Sequence, residues 1–118
     1  MSLQRSLMRL NKQKFLSMLG LAKRAGAIIA GTDLVTKALP SGKIRSVIYA
    51  SDASLNTKKR ITDKCAYYNV KCICVDASVN ELGHAIGRVA PSSVIGITND
   101  NFSKQITTLS GGNVYGKN

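Results

Sequence analysis

Four places in this chain hold residue types that could do chemistry. The first is Gly31-Thr32-Asp33-Leu34-Val35-Thr36-Lys37. A glycine followed by small polar residues starts a helix with bare backbone. The N–H groups of a first helical turn lack intrahelical acceptors and attract anions. Lys37 lies about one and a half turns inside, placed to add charge along the helix side. The same residues would serve an ordinary helix capped by Thr32. By local physics alone both readings stay open.

The second place is Gly87-Arg88-Val89-Ala90-Pro91-Ser92-Ser93. Apolar residues in a connecting loop suit either a loop tucked over the sheet edge or a platform for an unstacked base. The third is the set Cys65, Cys72 and Cys74. Cys-x-Cys lacks zinc-ligand spacing and no second pair follows, so metal binding is not expected. Positions 72 and 74 face the same side of a strand, and buried free thiols are the expectation. The fourth is His84, the only histidine. Pairing it with Cys65 would require a positioned base and an orienting acid, and nothing nearby resembles such a site. No phosphate-binding glycine loop of the strand–GxxxxGK–helix type occurs, and GLAKRAG does not sit between a strand and a helix. No catalytic residue, metal or cofactor is expected.

These places need elements to position them. Phe15, Leu16, Met18, Leu19, Leu21, Ala22 and Ala25, paired at i, i+3 and i+4, predict an amphipathic helix over 11–25 with Asn11 as its cap. The run 27–30 is a short strand. A helix follows from Thr32 to Leu39, stopped by Pro40 and Gly42. Residues 44–50 form a strand. A helix over 54–69 starts at Ser54, turning Leu55, Ile61, Cys65 and Tyr68 inward. Lys58, Lys59, Arg60 and Lys64 face solvent. Residues 70–75 are a strand. Ser78 with Glu81 is a capping box opening a helix over 78–87. A strand at 93–98 precedes a last helix capped by Asp100. The order is α-β-α-β-α-β-α-β-α, one sheet covered on both faces. Residues 1–10 read as a flexible basic lead-in, 11–110 as one domain, and 111–118 as a flexible tail.

Seventeen Lys and Arg against six Asp and Glu give a net charge of +11 over 118 residues. The basic residues are spread along the chain rather than massed in a tail. Such a surface favours polyanions and says nothing about fold. No apolar run reaches the length of a membrane span, and a cytoplasmic protein without membrane contact is expected.

At the first two places the chain resembles the kink-turn-binding ribosomal protein superfamily, the archaeal ribosomal protein L-seven-Ae type, and within it the short bacterial YlxQ-like branch. The family pattern G-x-N-E-x-x-K falls on Gly31 to Lys37. The pattern L-G-x-A-x-G falls on Leu82, Gly83, Ala85 and Gly87, followed by Arg88, Val89, Ala90 and Pro91. The run 51–70, SDASLNTKKRITDKCAYYNV, is similar to the bacterial branch. The resemblance spans roughly residues 12–109.

It implies an α/β fold, a three-layer α/β/α sandwich around a four-stranded mixed sheet. It also implies binding to a sharply bent RNA with tandem sheared G·A pairs, ribosomal RNA among the candidates. The helix at Gly31 would enter the RNA groove and the loop would cover a flipped-out nucleotide. The expected RNA-binding residues are Gly31, Thr32, Asp33, Leu34, Lys37, Arg60, Arg88, Val89, Ala90 and Pro91. Two slots depart from the pattern. Asp33 and Leu34 replace Asn and Glu, so Asp33 can accept but not donate, and Leu34 can do neither. The expectation is a monomeric, non-catalytic RNA-binding protein of the ribosome or the translation machinery. The alternative is a protein-interaction module of that machinery without RNA readout.

Overall fold

Each central strand points apolar side chains both ways, and that alternation divides the core in two. The structure is a computed structural model that describes the backbone of residues 2–110 and 113–115 and the side chains of residues 11–110. Strands β1 (Ile28–Ala30), β2 (Ser46–Ala50), β3 (Lys71–Val75) and β4 (Val94–Ile97) form the expected mixed sheet. Helices α1 (Ser2–Arg24), α4 (Val79–Ala85) and α5 (Asp100–Ser110) cover one face. Helices α2 (Thr32–Ala38) and α3 (Leu55–Tyr67) cover the other.

On the first face Ile48, Ile73, Val75, Ile95 and Ile97 meet Phe15, Leu19, Leu82 and Ile106. On the second, Val47, Tyr49, Cys72 and Val94 meet Val35, Leu39, Ile61 and Cys65. The register follows from the period of two: residues i and i+2 share a face, so a one-residue slip would expose both cores. Each fully buried Ile or Leu contributes about 1.5–3 kcal/mol.

The order along the sheet is β1-β4-β2-β3-β5. Strand β4 runs antiparallel to both β1 and β2, and β2 runs parallel to β3. The fifth strand, β5 (Asn113–Tyr115), was expected to be part of a flexible tail. It pairs antiparallel with β3 through Cys72↔Tyr115 and Cys74↔Asn113. It satisfies backbone groups that the edge of β3 would otherwise leave to water. The rest of the expected tail, 111–112 and 116–118, lies outside the described residues.

Three further expectations change. Helix α1 begins at Ser2 rather than Asn11, so the lead-in joins the first helix; residues 2–10 contain no Gly or Pro to stop it. Thr32 does not cap α2: the cap position is Gly31, without a side-chain hydrogen bond. Asp100 does not cap α5; Asn99 Oδ1 accepts from the Phe102 N–H at 3.0 Å. The caps at Ser54 and the Ser78–Glu81 box form as read. The capping contact with the Ser78 backbone, joined by Lys12, holds the Glu81 carboxyl below its ordinary pKa.

Candidate nucleic-acid interface

Strand order brings the two sequence stretches together. Strand β1 ends at Ala30, opposite Ile95 near the start of β4. The Gly31 N–H donates to the Val94 carbonyl at 2.9 Å, and the Ala50 N–H donates to Ser93 at 2.9 Å. The start of α2 and the end of the 88–93 loop therefore share one end of the sheet. Gly31 has φ of 113°, and no atom lies near where a Cβ would project. The need for glycine there is conformational, because a side chain strains that backbone region.

The first turn of α2 presents the N–H groups of Thr32, Asp33 and Leu34 without intrahelical acceptors. Leu34 is 60% exposed and Lys37 projects into solvent. Asp33 does not face outward as a lone anion. Arg60 Nη1 reaches across from α3 to within 2.9 Å of Asp33 Oδ1. Arg60 Nη2 donates to Thr36 Oγ1 at 3.4 Å, and Thr36 in turn donates to the Asp33 carbonyl at 2.9 Å. Lys37 and Arg88 have no ion-pair partner among the described residues.

The loop is exposed but held. The Arg88 N–H donates to the Gly83 carbonyl and the Ser92 N–H to the Val79 carbonyl, each at 2.9 Å. Arg88, Ala90 and Pro91 are exposed, and Val89 is fully so, at 107%. Pro91 fixes its own φ and biases Ala90 toward extended geometry. Gly83 sets the loop's seat: a Cβ there would lie 2.4 Å from the Ala90 carbonyl oxygen. Its motif was legible in the sequence, but this close approach was not.

A third segment arrives at the same end. The Ser51 N–H donates to the Ala77 carbonyl at 3.0 Å, and the Val79 N–H donates to Asp52 Oδ1 at 2.8 Å. The 51–54 loop is thereby clasped to the start of α4. Lys58 Nζ donates to the Ser51 carbonyl at 2.8 Å. Leu55, expected to point inward, is 81% exposed. It lies six positions before Ile61, about one and two-thirds turns, which is not a same-face spacing. With Lys58, Lys59 and Thr62 it lines a shallow groove of about 620 Å³.

The remaining chemical candidates lie elsewhere. His84 is exposed on α4, beside Leu16, Asn80 and Glu81. Cys65 is buried across the sheet beneath α3, so the two do not meet. Cys65 and Cys72 are buried free thiols and Cys74 is half-buried. A hydrogen bond with Cys65, then burial, pushes the Cys72 thiol far above its ordinary pKa. Among the described residues no three His, Cys, Asp or Glu gather as metal ligands. Among them, too, no helix is long and apolar enough to cross a membrane.

A family model for the ribosomal protein L7Ae/L30e/S12e/Gadd45 family matches residues 13–107. The chain is 38% identical over 99 residues to a protein named RNA-binding protein YlxQ from Enterococcus faecium, covering 84% of this chain and 93% of that one. It is 38% identical over 92 residues to the YlxQ of Bacillus subtilis (strain 168), covering 78% and 90%. Among solved structures, a Bacillus halodurans C protein described as of unknown function matches with a TM-score of 0.76 at 40% identity, covering 81% of this chain and 95% of that one. The Giardia lamblia 15.5kD RNA binding protein shares the fold, with a TM-score of 0.71 at 23% identity and coverage of 86% and 85%.

Proposed function

The chain belongs to the L7Ae/L30e/S12e/Gadd45 ribosomal protein family, in its bacterial YlxQ-like branch, and from that premise we propose that it is a non-catalytic RNA-binding protein that grips a kink-turn-like bend. One observation carries the reading. The hydrogen bond from Gly31 to Val94 sets the open first turn of α2 at the end of β4 into which the exposed Arg88–Pro91 loop leads. A bent RNA helix offers both partners at once, phosphates and base edges in a groove and an unstacked nucleotide at the bend.

The charges fit that division. Lys37 and Arg88 are exposed cations on the two segments, available to phosphates. Val89 with Pro91 gives an apolar surface for an extruded base. Arg60 screens the Asp33 carboxylate, removing the repulsion that an unpaired acid would bring to phosphate. Leu34 offers apolar contact where the family pattern has an acceptor, so guanine readout rests more on shape here. The exposed patch and the net charge of +11 favour RNA over a purely protein-binding module. On this reading the protein works with structured RNA of the translation machinery in the cytoplasm.

A gel shift with three RNAs tests this: a kink-turn, the same RNA with its G·A pairs mutated, and a straight A-form duplex. Tighter binding to the intact kink-turn is expected. Equal affinity for all three would reduce the protein to a general polyanion binder.

A further inference from the structure

Helix α3 carries a stripe of exposed residues that starts at Arg60 and runs away from its junction with α2. Arg60, Lys64 and Tyr67 fall at i, i+4 and i+7, one stripe of the helix surface. Ile61 and Cys65, each about 100° round the helix from the residue before it, are the residues buried against the sheet. At the upper end of the stripe Arg60 joins α2 through Asp33 and Thr36. From there the stripe runs about 10 Å along the helix axis to Tyr67.

Tyr67 is 79% exposed. Its ring stands edge-to-face on Tyr68, with centroids 4.8 Å apart and planes at 83°. Tyr68 in turn packs against the Val35–Cys65 core cluster. The exposed ring is thus propped from behind, which lowers the ordering cost of anything that stacks on it. Lys64 is exposed and has no ion-pair partner among the described residues. The adjacent acid in the chain, Asp63, is held by Lys59 at 3.3 Å. An exposed, unpaired lysine one turn from an exposed aromatic ring has the chemistry of a strand-binding surface: charge for the backbone, a π-face for a base of any identity.

We propose that the Arg60–Lys64–Tyr67 stripe is a second RNA contact, which follows a strand leaving the bend and stacks one unpaired nucleotide on Tyr67. This rests on the bent-RNA reading for the strand's entry point at Arg60, and adds Lys64 and Tyr67, which lie outside that site. Sequence tolerance follows, because stacking does not read hydrogen-bond edges.

The test uses the full chain and two RNAs, a blunt kink-turn and the same kink-turn with a short single-stranded pyrimidine extension. A free oligopyrimidine is titrated alongside. With four tyrosines and no tryptophan, quenching of tyrosine fluorescence reports stacking. The extension should tighten wild-type binding roughly tenfold, the scale of one stacked base. Tyr67→Ala should abolish that gain and the associated quenching while leaving blunt-RNA affinity and melting temperature unchanged. Tyr67→Phe should keep the gain, and Lys64→Ala should reduce it. If the blunt kink-turn binds but the extension adds nothing, or its gain survives Tyr67→Ala, the stripe is overturned and the bend reading stands. If the blunt kink-turn binds no better than a straight duplex titrated alongside, while the oligopyrimidine quenches tyrosine fluorescence in the wild type but not in Tyr67→Ala, the bend reading falls and the Lys64–Tyr67 stacking contact stands without it.

Discussion

Arg60 Nη1 sits 2.9 Å from Asp33 Oδ1, joining α3 to the first turn of α2. Both side chains are at least half exposed, so the pair is worth about 0–1 kcal/mol to the fold. Its consequence lies at the surface, where it neutralises a carboxylate that would otherwise repel RNA. Arg60→Ala should leave melting nearly unchanged but weaken RNA binding, most strongly at low salt. Asp33→Asn in the Arg60→Ala background should recover part of the loss. A double-mutant cycle in gel shifts checks this, and no recovery would mean that Arg60 acts on phosphate alone.

Lys37 is an exposed cation beside the open turn. If about 4–6 phosphates are neutralised, log K should fall with log salt at a slope of roughly −3 to −5. Lys37→Ala should reduce that slope by about one and weaken good and poor RNAs alike, since a phosphate contact is blind to sequence. Titrations across a salt series measure it; an unchanged slope would make Lys37 a solvated helix residue.

Val89 and Gly83 separate contact from support. Val89 is fully exposed, so Val89→Asp should cost binding about 1–3 kcal/mol, on the scale of one base contact, with melting unchanged. Gly83→Ala would place a methyl 2.4 Å from the Ala90 carbonyl. Overpacking of that kind costs about 1–3 kcal/mol, so both melting temperature and binding should fall. Circular dichroism melts and binding titrations on the two variants distinguish the roles.

The thiols give a prediction independent of RNA. Cys72 is buried and its thiolate is disfavoured by the hydrogen bond with Cys65 and by burial. Alkylation of the native protein at about pH 8 should modify half-buried Cys74 first and leave Cys65 and Cys72 protected until unfolding. Mass spectrometry of timed samples reads the order. Early modification of Cys72 would place it outside the core.

Much of this architecture is local, and local signals were legible. Strand alternation around Ile48, Ile73 and Ile95 fixes which side chains face which helix layer, because the period of two is a property of neighbours. Ser54 and the Ser78–Glu81 box declare their helix starts through residues three apart. The same reasoning found the bare start of α2 and the apolar loop, but not that they adjoin. That depended on β4 inserting between β1 and β2, a long-range choice that puts Val94 against Gly31. Arg60 meets Thr36 across 24 residues of sequence, a distance over which no periodicity carries information. Strand β5 was invisible for a related reason. A three-residue strand has too little pattern to announce itself, and its pairing with β3 is decided by where the sheet leaves an open edge. The sequence determined the pieces and the charge they carry; the strand order decided which of them share a surface.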